Sequence, residues 1–209
     1  VDVPIPHNAS QSVGTDRSLC IVGLRNGQVE KIWEMWLAIK MADATWQAAN
    51  IAVTTAADDW RHSRSYTVAA VGISALAYAL RVKEAKAAID YIKARRAAGQ
   101  PVLDSEIIAR IPHALAINIP RPYVGKVSYP GTFTDGSSSD TATMWEGQLV
   151  YLRSDIDVSS LNLSPLHHAI RVVGKHRGYR VTDQTAWSTT MIVEGDQAAA
   201  SLQLDAYLP

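Results

Sequence analysis

The sequence has little of several features that define common protein classes. Cys20 is its single cysteine, which excludes an internal disulfide framework and any zinc or iron–sulfur site built on several cysteines. Its 20 basic and 20 acidic residues give a net charge of zero, which disfavours a globally basic nucleic-acid binder or an acidic solvating protein. No run reaches the roughly 20 apolar residues that a membrane-spanning helix needs.

The composition is that of a folded protein with an unusually uncharged surface. Hydrophobic residues make up 47% of the 209 positions, which excludes wholesale disorder and allows a sizeable core. Charged residues make up 19%, below the usual quarter, so apolar or small side chains must occupy part of the surface. The chain starts at Val1 without a methionine, which indicates processing or truncation.

The first half of the chain carries helical spacing. Residues 1–16 are aperiodic and predict an extended arm, and Leu19 to Val22 predict a short strand. Apolar residues three and four positions apart predict one long helix over 28–57. A second helix is predicted over 66–98, where Gly99-Gln100-Pro101 stops it. A short linker between the two predicts an antiparallel helical hairpin.

The second half of the chain predicts one short helix followed by strands. Asp104 begins a short predicted helix that ends at Arg110, and prolines then interrupt helical spacing. The remaining apolar runs predict strands at 123–129, 143–152, 169–173, 179–182, 186–193 and 201–207. The predicted fold class is therefore α+β, with a long antiparallel helical hairpin in the N-terminal half followed by an antiparallel β-rich C-terminal half. The predicted divisions are 1–16, 17–110 and 111–209, within one compact domain.

Motifs for catalysis, metal binding and phosphate binding are missing. No histidine pair has the four-residue spacing of a helical zinc site, because His167 and His168 are adjacent. No serine lies in Gly-x-Ser-x-Gly, and neither phosphate-binding glycine motif occurs. Asp155 and Asp157 fit a solvated turn better than a calcium loop. The sequence therefore predicts no catalytic residue, no metal and no cofactor.

Charge is distributed unevenly near the C-terminus. No acid occurs from 158 to 182, and 183–209 then holds four acids and no lysine or arginine. The first segment predicts a basic hairpin over 167–180, whose candidate contact residues are Arg171, Lys175, His176, Arg177 and Arg180. Three interpretations remain open: the two segments neighbour each other in one sheet, they meet across a subunit contact, or the basic hairpin contacts phosphates.

Four tryptophans are concentrated in the first predicted helix or just after it. These are Trp33, Trp36, Trp46 and Trp60. Large aromatic rings fill cores and also anchor interfaces, so both roles stay open for this group.

The sum of these features favours a non-enzymatic structural subunit that self-assembles. Its concrete form is a viral coat, nucleocapsid or accessory virion protein, located in the virion. The predicted partners are copies of itself, viral proteins and nucleic acid held through phosphates. Two alternatives are a nucleic-acid-binding module that acts through the basic hairpin, and a small hydrolase whose site in the β half uses His167 or His168.

Overall fold

The computed structural model describes residues 2–12, 16–58, 68–185 and 188–192. Within these ranges the chain forms nine strands and three short α-helices. The strands are β1 (Leu19–Arg25), β2 (Gln28–Trp36), β3 (Ile39–Lys40), β4 (Trp46–Gln47), β5 (Asn50–Thr55), β6 (Leu115–Pro120), β7 (Leu149–Val150), β8 (Tyr179–Thr185) and β9 (Thr190–Met191). The helices are α1 (Val82–Ala97), α2 (Asp104–Arg110) and α3 (Pro165–His176). The predicted helical hairpin is therefore wrong.

The region predicted as a helix over 28–57 is a set of strands, β2 to β5. Asn26 and Gly27 both have positive φ, 53° and 76°, as the tight turn of a β-hairpin requires. β1 and β2 pair antiparallel across this turn, and β5 pairs with the other side of β2. Side chains on both faces of β2 are buried, so its apolar positions do not alternate and instead imitate helical spacing.

The region predicted as a helix over 66–98 is helical only in its charged half, as α1. The uncharged half that the structure describes is buried, but it lacks an α-helix because its backbone bonds to distant segments. The Val71 amide donates to Thr182 O, the Ala75 amide donates to a Glu34 carboxylate, and Gly72 has a φ of 72°. The predicted end of the helix is confirmed, since Gly99 has a φ of 62° directly after the cap.

The second half has one further helix and shorter strands than predicted. The segment 169–173 lies inside α3, whose start has Ser164 as the N-cap and Pro165 in the first turn. No strand covers 123–129, and only β7 forms within 143–152. The strand predicted over 186–193 includes β9 (Thr190–Met191). The strand predicted over 201–207 lies outside the described residues. The short helix predicted from Asp104 to Arg110 is confirmed as α2.

The strands form three sheets. Their orders are β1-β2-β5, β3-β4 and β7-β8-β6-β9. None of the helices in the described ranges has the length and apolar character that crossing a membrane requires.

The chain divides into two compact units. Unit 1 comprises 1–77, 118–148 and 182–189, and it holds the sheet β1-β2-β5. One face of this sheet packs against the N-terminal arm, where Val3 and Ile5 contact a cluster of buried residues. That cluster, the arm cluster, is built on Leu19, Ile21, Met35 and Ala38.

Unit 2 comprises 78–117, 149–181 and 190–209 and holds all three described α-helices. The helices pack around one apolar core. Its fully buried members include Ile92, Ile107, Ile111, Leu115, Val172 and Val173. Tyr179 packs beside this core, and its hydroxyl donates to Ile170 O at 3.0 Å.

Candidate functional site

The outer strand of the three-stranded sheet presents an apolar edge. β1 pairs with β2 on one side, and within the described residues no other backbone hydrogen bond reaches Leu19–Arg25. Val22, Leu24 and Val29 are 42%, 62% and 42% exposed. Leu24 and Val29 are cross-strand partners and Val22 lies two positions before Leu24, so all three share one face of the hairpin. These three residues are the hairpin patch.

The basic segment 167–180 is not a hairpin, because α3 occupies most of it and β8 begins at Tyr179. Three of the five predicted contact residues have partners within unit 2. Lys175 donates to Ile156 O at 2.9 Å, His176 Nε2 lies 2.9 Å from Asp104 Oδ2, and the Arg180 guanidinium lies 5.4 Å from the centre of the Tyr78 ring.

Arg171 and Arg177 are the exposed arginines of this segment. Arg177 is also the C-cap of α3, where a cation is favourably placed against the helix dipole.

His167 and His168 lie on α3, and neither contacts a carboxylate among the described residues. His167 Nδ1 lies 3.1 Å from Ser164 Oγ. Ser164 is also the N-cap of α3, where its hydroxyl accepts from the His167 amide, so this contact is part of the helix cap. His168 is buried, and its Nδ1 lies 3.3 Å from an Arg96 guanidinium nitrogen. Burial and the Arg96 charge lower the pKa of His168, which favours the neutral ring.

Trp33, Trp36 and Trp46 lie in unit 1 and are half-buried. Trp33 and Trp46 pack against the arm cluster. The Trp36 indole nitrogen donates to Asp16 Oδ1 at 3.2 Å, near the end of the arm. Trp60 lies outside the described residues.

Cys20 faces a buried carboxylate on the sheet. Its Sγ donates to Glu34 Oε1 at 3.7 Å, and the same oxygen accepts from Ser74 Oγ and from the Ala75 amide. Burial and then the Glu34 charge raise the pKa of Cys20 well above its usual range. A thiol held in its protonated form is a poor nucleophile, so this pair has a structural role in the sheet.

A second feature of unit 1 is a cluster of three acids, Asp135, Glu146 and Asp183, which form the acidic cluster. One carboxylate oxygen from each lies within 4.8 Å of the other two. Glu146 is completely buried, and its Oε2 accepts from the Asp135 amide at 3.3 Å. Asp183, in β8, accepts from the Gln184 amide at 2.7 Å and from the Ala70 amide at 3.4 Å.

Glycines next to two of these acids allow the backbone to bring them together. Gly136 follows Asp135, and a Cβ there would lie 2.6 Å from Pro122 O. Gly147 follows Glu146, and a Cβ there would lie 2.0 Å from Ser128 O. Gly147 also has a φ of 77°, which L side chains rarely adopt. Both turns therefore require glycine for close backbone contact.

The acids disfavour each other's ionisation. Burial raises the pKa of Glu146 to about 9, and the neighbouring Asp135 carboxyl adds to the rise. Burial also raises the pKa of Asp183 to about 7, with a further contribution from the Asp135 charge. The fold thus opposes ionisation of these buried carboxyl groups, and Glu146 stays protonated at neutral pH.

The sequence analysis did not identify the acidic cluster, since its members come from three separate segments and no spacing connects them. The adjacent pairs Asp135-Gly136 and Glu146-Gly147 are the only local signal, and acid–glycine pairs are common in turns. Comparison of the chain with family models, curated proteins and solved structures finds no match.

Proposed function

We propose that this protein is a non-enzymatic structural subunit that associates with copies of itself through β1. The observation that carries the proposal is the hairpin patch beside β1, an edge strand with no other backbone partner among the described residues. An exposed apolar edge is a template for strand addition from another chain. The finer form of the proposal, a coat, nucleocapsid or accessory virion protein, is supported by the low fraction of charged residues.

The character of β1 favours a second copy as the partner. The strand reads Leu-Cys-Ile-Val-Gly-Leu-Arg, without proline and with Arg25 as its single charge. The pairing of β1 with β2 is interrupted by a bulge, in which the unpaired residue is Glu30 of β2. The side chains of β1 therefore keep alternating regularly between the two faces of the sheet. Two β1 strands can pair antiparallel about a twofold axis at Val22. In that arrangement the two copies of Arg25 lie about 20 Å apart, so like charges do not oppose each other.

Replacing Leu24 with lysine is expected to abolish self-association. A lysine on an edge strand opposes pairing with another chain, because its charge would have to be buried in the contact. Light scattering coupled to size-exclusion chromatography should give the wild-type chain a multiple of 22.7 kDa and L24K the mass of one protomer.

The matched control is Val124→Lys, since Val124 is also in unit 1 and is 52% exposed, but lies away from β1 in the chain. V124K should retain the wild-type mass. A wild-type mass of 22.7 kDa, or an unchanged assembly in L24K, would contradict the proposal.

A nucleic-acid partner is the second candidate, and the exposed Arg171 and Arg177 favour it. We expect wild-type protein to bind single-stranded RNA or DNA weakly, with affinity that falls steeply as salt rises. The double variant R171E/R177E should lose that binding in a fluorescence-anisotropy titration and keep its helical circular dichroism. Binding that is the same in both proteins, or unaffected by salt, would exclude this candidate.

A further inference from the structure

We infer that Asp135, Glu146 and Asp183 form a binding site for a divalent cation that prefers oxygen ligands, with Ca²⁺ as the best fit. The first observation is convergence, because three carboxylate oxygens from separate segments lie within 4.8 Å of one another. All three acids belong to unit 1, so the site is complete within one compact unit. Surface acids repel and spread into water, whereas these are held together by the fold.

The second observation is independent of the first: two buried carboxylate oxygens of the cluster accept no hydrogen bond. Glu146 is completely buried, yet its Oε1 has no hydrogen-bond partner. Asp135 Oδ1 is also buried without a partner. A buried carboxylate oxygen without a hydrogen-bond partner lowers the free energy of unfolding by a few kcal/mol, so such atoms in a folded protein indicate a bound ligand. Both orphaned oxygens belong to residues of the same cluster, and a cation there would satisfy them together.

Within the described ranges, no basic side chain forms an ion pair with the cluster. The donors that reach the cluster are backbone amides and the Thr134 hydroxyl, which supply partial charges only. A bound divalent cation would offset most of the charge of three ionised carboxylates.

The donor set indicates the kind of cation. All three ligand groups are carboxylates, and no histidine or cysteine belongs to the cluster as the structure describes it. Hard oxygen ligands favour calcium, magnesium or manganese over zinc or copper. Magnesium keeps several waters and generally binds one or two carboxylates, whereas calcium accepts six to eight oxygens. Three converging carboxylates, one of them without any contact to solvent, therefore fit calcium best.

Isothermal titration of chelator-treated protein with CaCl2 should show one Ca²⁺ per chain, with a Kd below about 1 mM. Glu146→Gln keeps the size of the side chain and removes its charge. E146Q should weaken Ca²⁺ binding at least tenfold, and D183N should do the same. Asp155→Asn is the matched control, because Asp155 is an exposed acid outside the cluster that pairs with Arg153. D155N should bind Ca²⁺ like the wild type.

Thermal unfolding keeps the proposal testable if a variant folds poorly. In EDTA, E146Q should have a Tm close to that of the wild type, because glutamine keeps the size of the buried side chain and is uncharged. Added Ca²⁺ should raise the wild-type Tm and leave that of E146Q unchanged. The inference is overturned if the wild type binds no Ca²⁺, if Mg²⁺ or Zn²⁺ binds more tightly than Ca²⁺, or if D155N loses binding as E146Q does.

Discussion

Replacing Gly147 with alanine should destabilise unit 1 by about 3–5 kcal/mol. Two costs combine at this position. The φ of 77° is unfavourable for any residue with a Cβ, and the new Cβ would lie 2.0 Å from the carbonyl oxygen of Ser128. The obstructing atom belongs to the backbone, so no side-chain rotation can relieve the contact. Urea unfolding followed by tryptophan fluorescence measures the effect, since Trp33, Trp36, Trp46 and Trp145 all lie in unit 1.

Gly27→Ala is the matched control for this prediction. Gly27 has a nearly identical φ of 76°, but a Cβ there would meet nothing within 4 Å. G27A should therefore cost only about 1 kcal/mol, the penalty for the left-handed conformation alone. The difference between the two variants reports the backbone contact at Ser128. Equal losses in both would show that the close approach beside Glu146 does not exist.

Replacing Ile92 with alanine should destabilise unit 2 by about 2–5 kcal/mol. Ile92 lies on α1, is completely inaccessible to solvent and belongs to the core between the three helices. The substitution removes buried methyl and methylene groups and leaves a cavity, and the better helix propensity of alanine offsets only a few tenths of a kcal/mol. Urea unfolding followed by circular dichroism at 222 nm measures the loss, because the described α-helices all lie in unit 2.

The surface control for this prediction is Lys86→Ala on the same helix. Lys86 pairs with Asp90 at 2.6 Å, but both side chains are more than half exposed. Exposed pairs of this kind contribute less than about 1 kcal/mol, so K86A should unfold close to the wild type. If I92A also unfolds like the wild type, the packing of α1 against α2 and α3 is not as described.

A structural calcium site and a self-associating edge are compatible in one protein. The acidic cluster joins segments of unit 1 that are distant in sequence, and β1 belongs to the same unit. Loss of cation binding in E146Q with intact assembly, or loss of assembly in L24K with intact cation binding, would show that the two features act separately. Each proposal therefore has a test that the failure of the other leaves unaffected.

Local chemistry in the sequence predicted those elements whose signals lie within a few residues. Gly99 and Pro101 mark the end of α1, and Asp104 to Arg110 form the short α2 as predicted. The first strand was also predicted at the right place, although it extends further, to Arg25. Two further local signals mark element boundaries. Asn26-Gly27 forms the hairpin turn between β1 and β2, and Ser164-Pro165 begins α3, within which the strand predicted over 169–173 does not form.

The sequence by itself determined a folded chain with a low fraction of charged residues. It also determined the ends of two helices, because helix capping depends on residues close together in the chain. Only the tertiary structure decided that 28–57 forms strands, because burial of both sheet faces removes the alternation that marks a strand. Only the tertiary structure brought Asp135, Glu146 and Asp183 together. Their proximity depends on backbone contacts between distant segments, such as the Val71 amide on Thr182 O and the Ser128 amide on Glu146 O, and no residue spacing encodes such contacts.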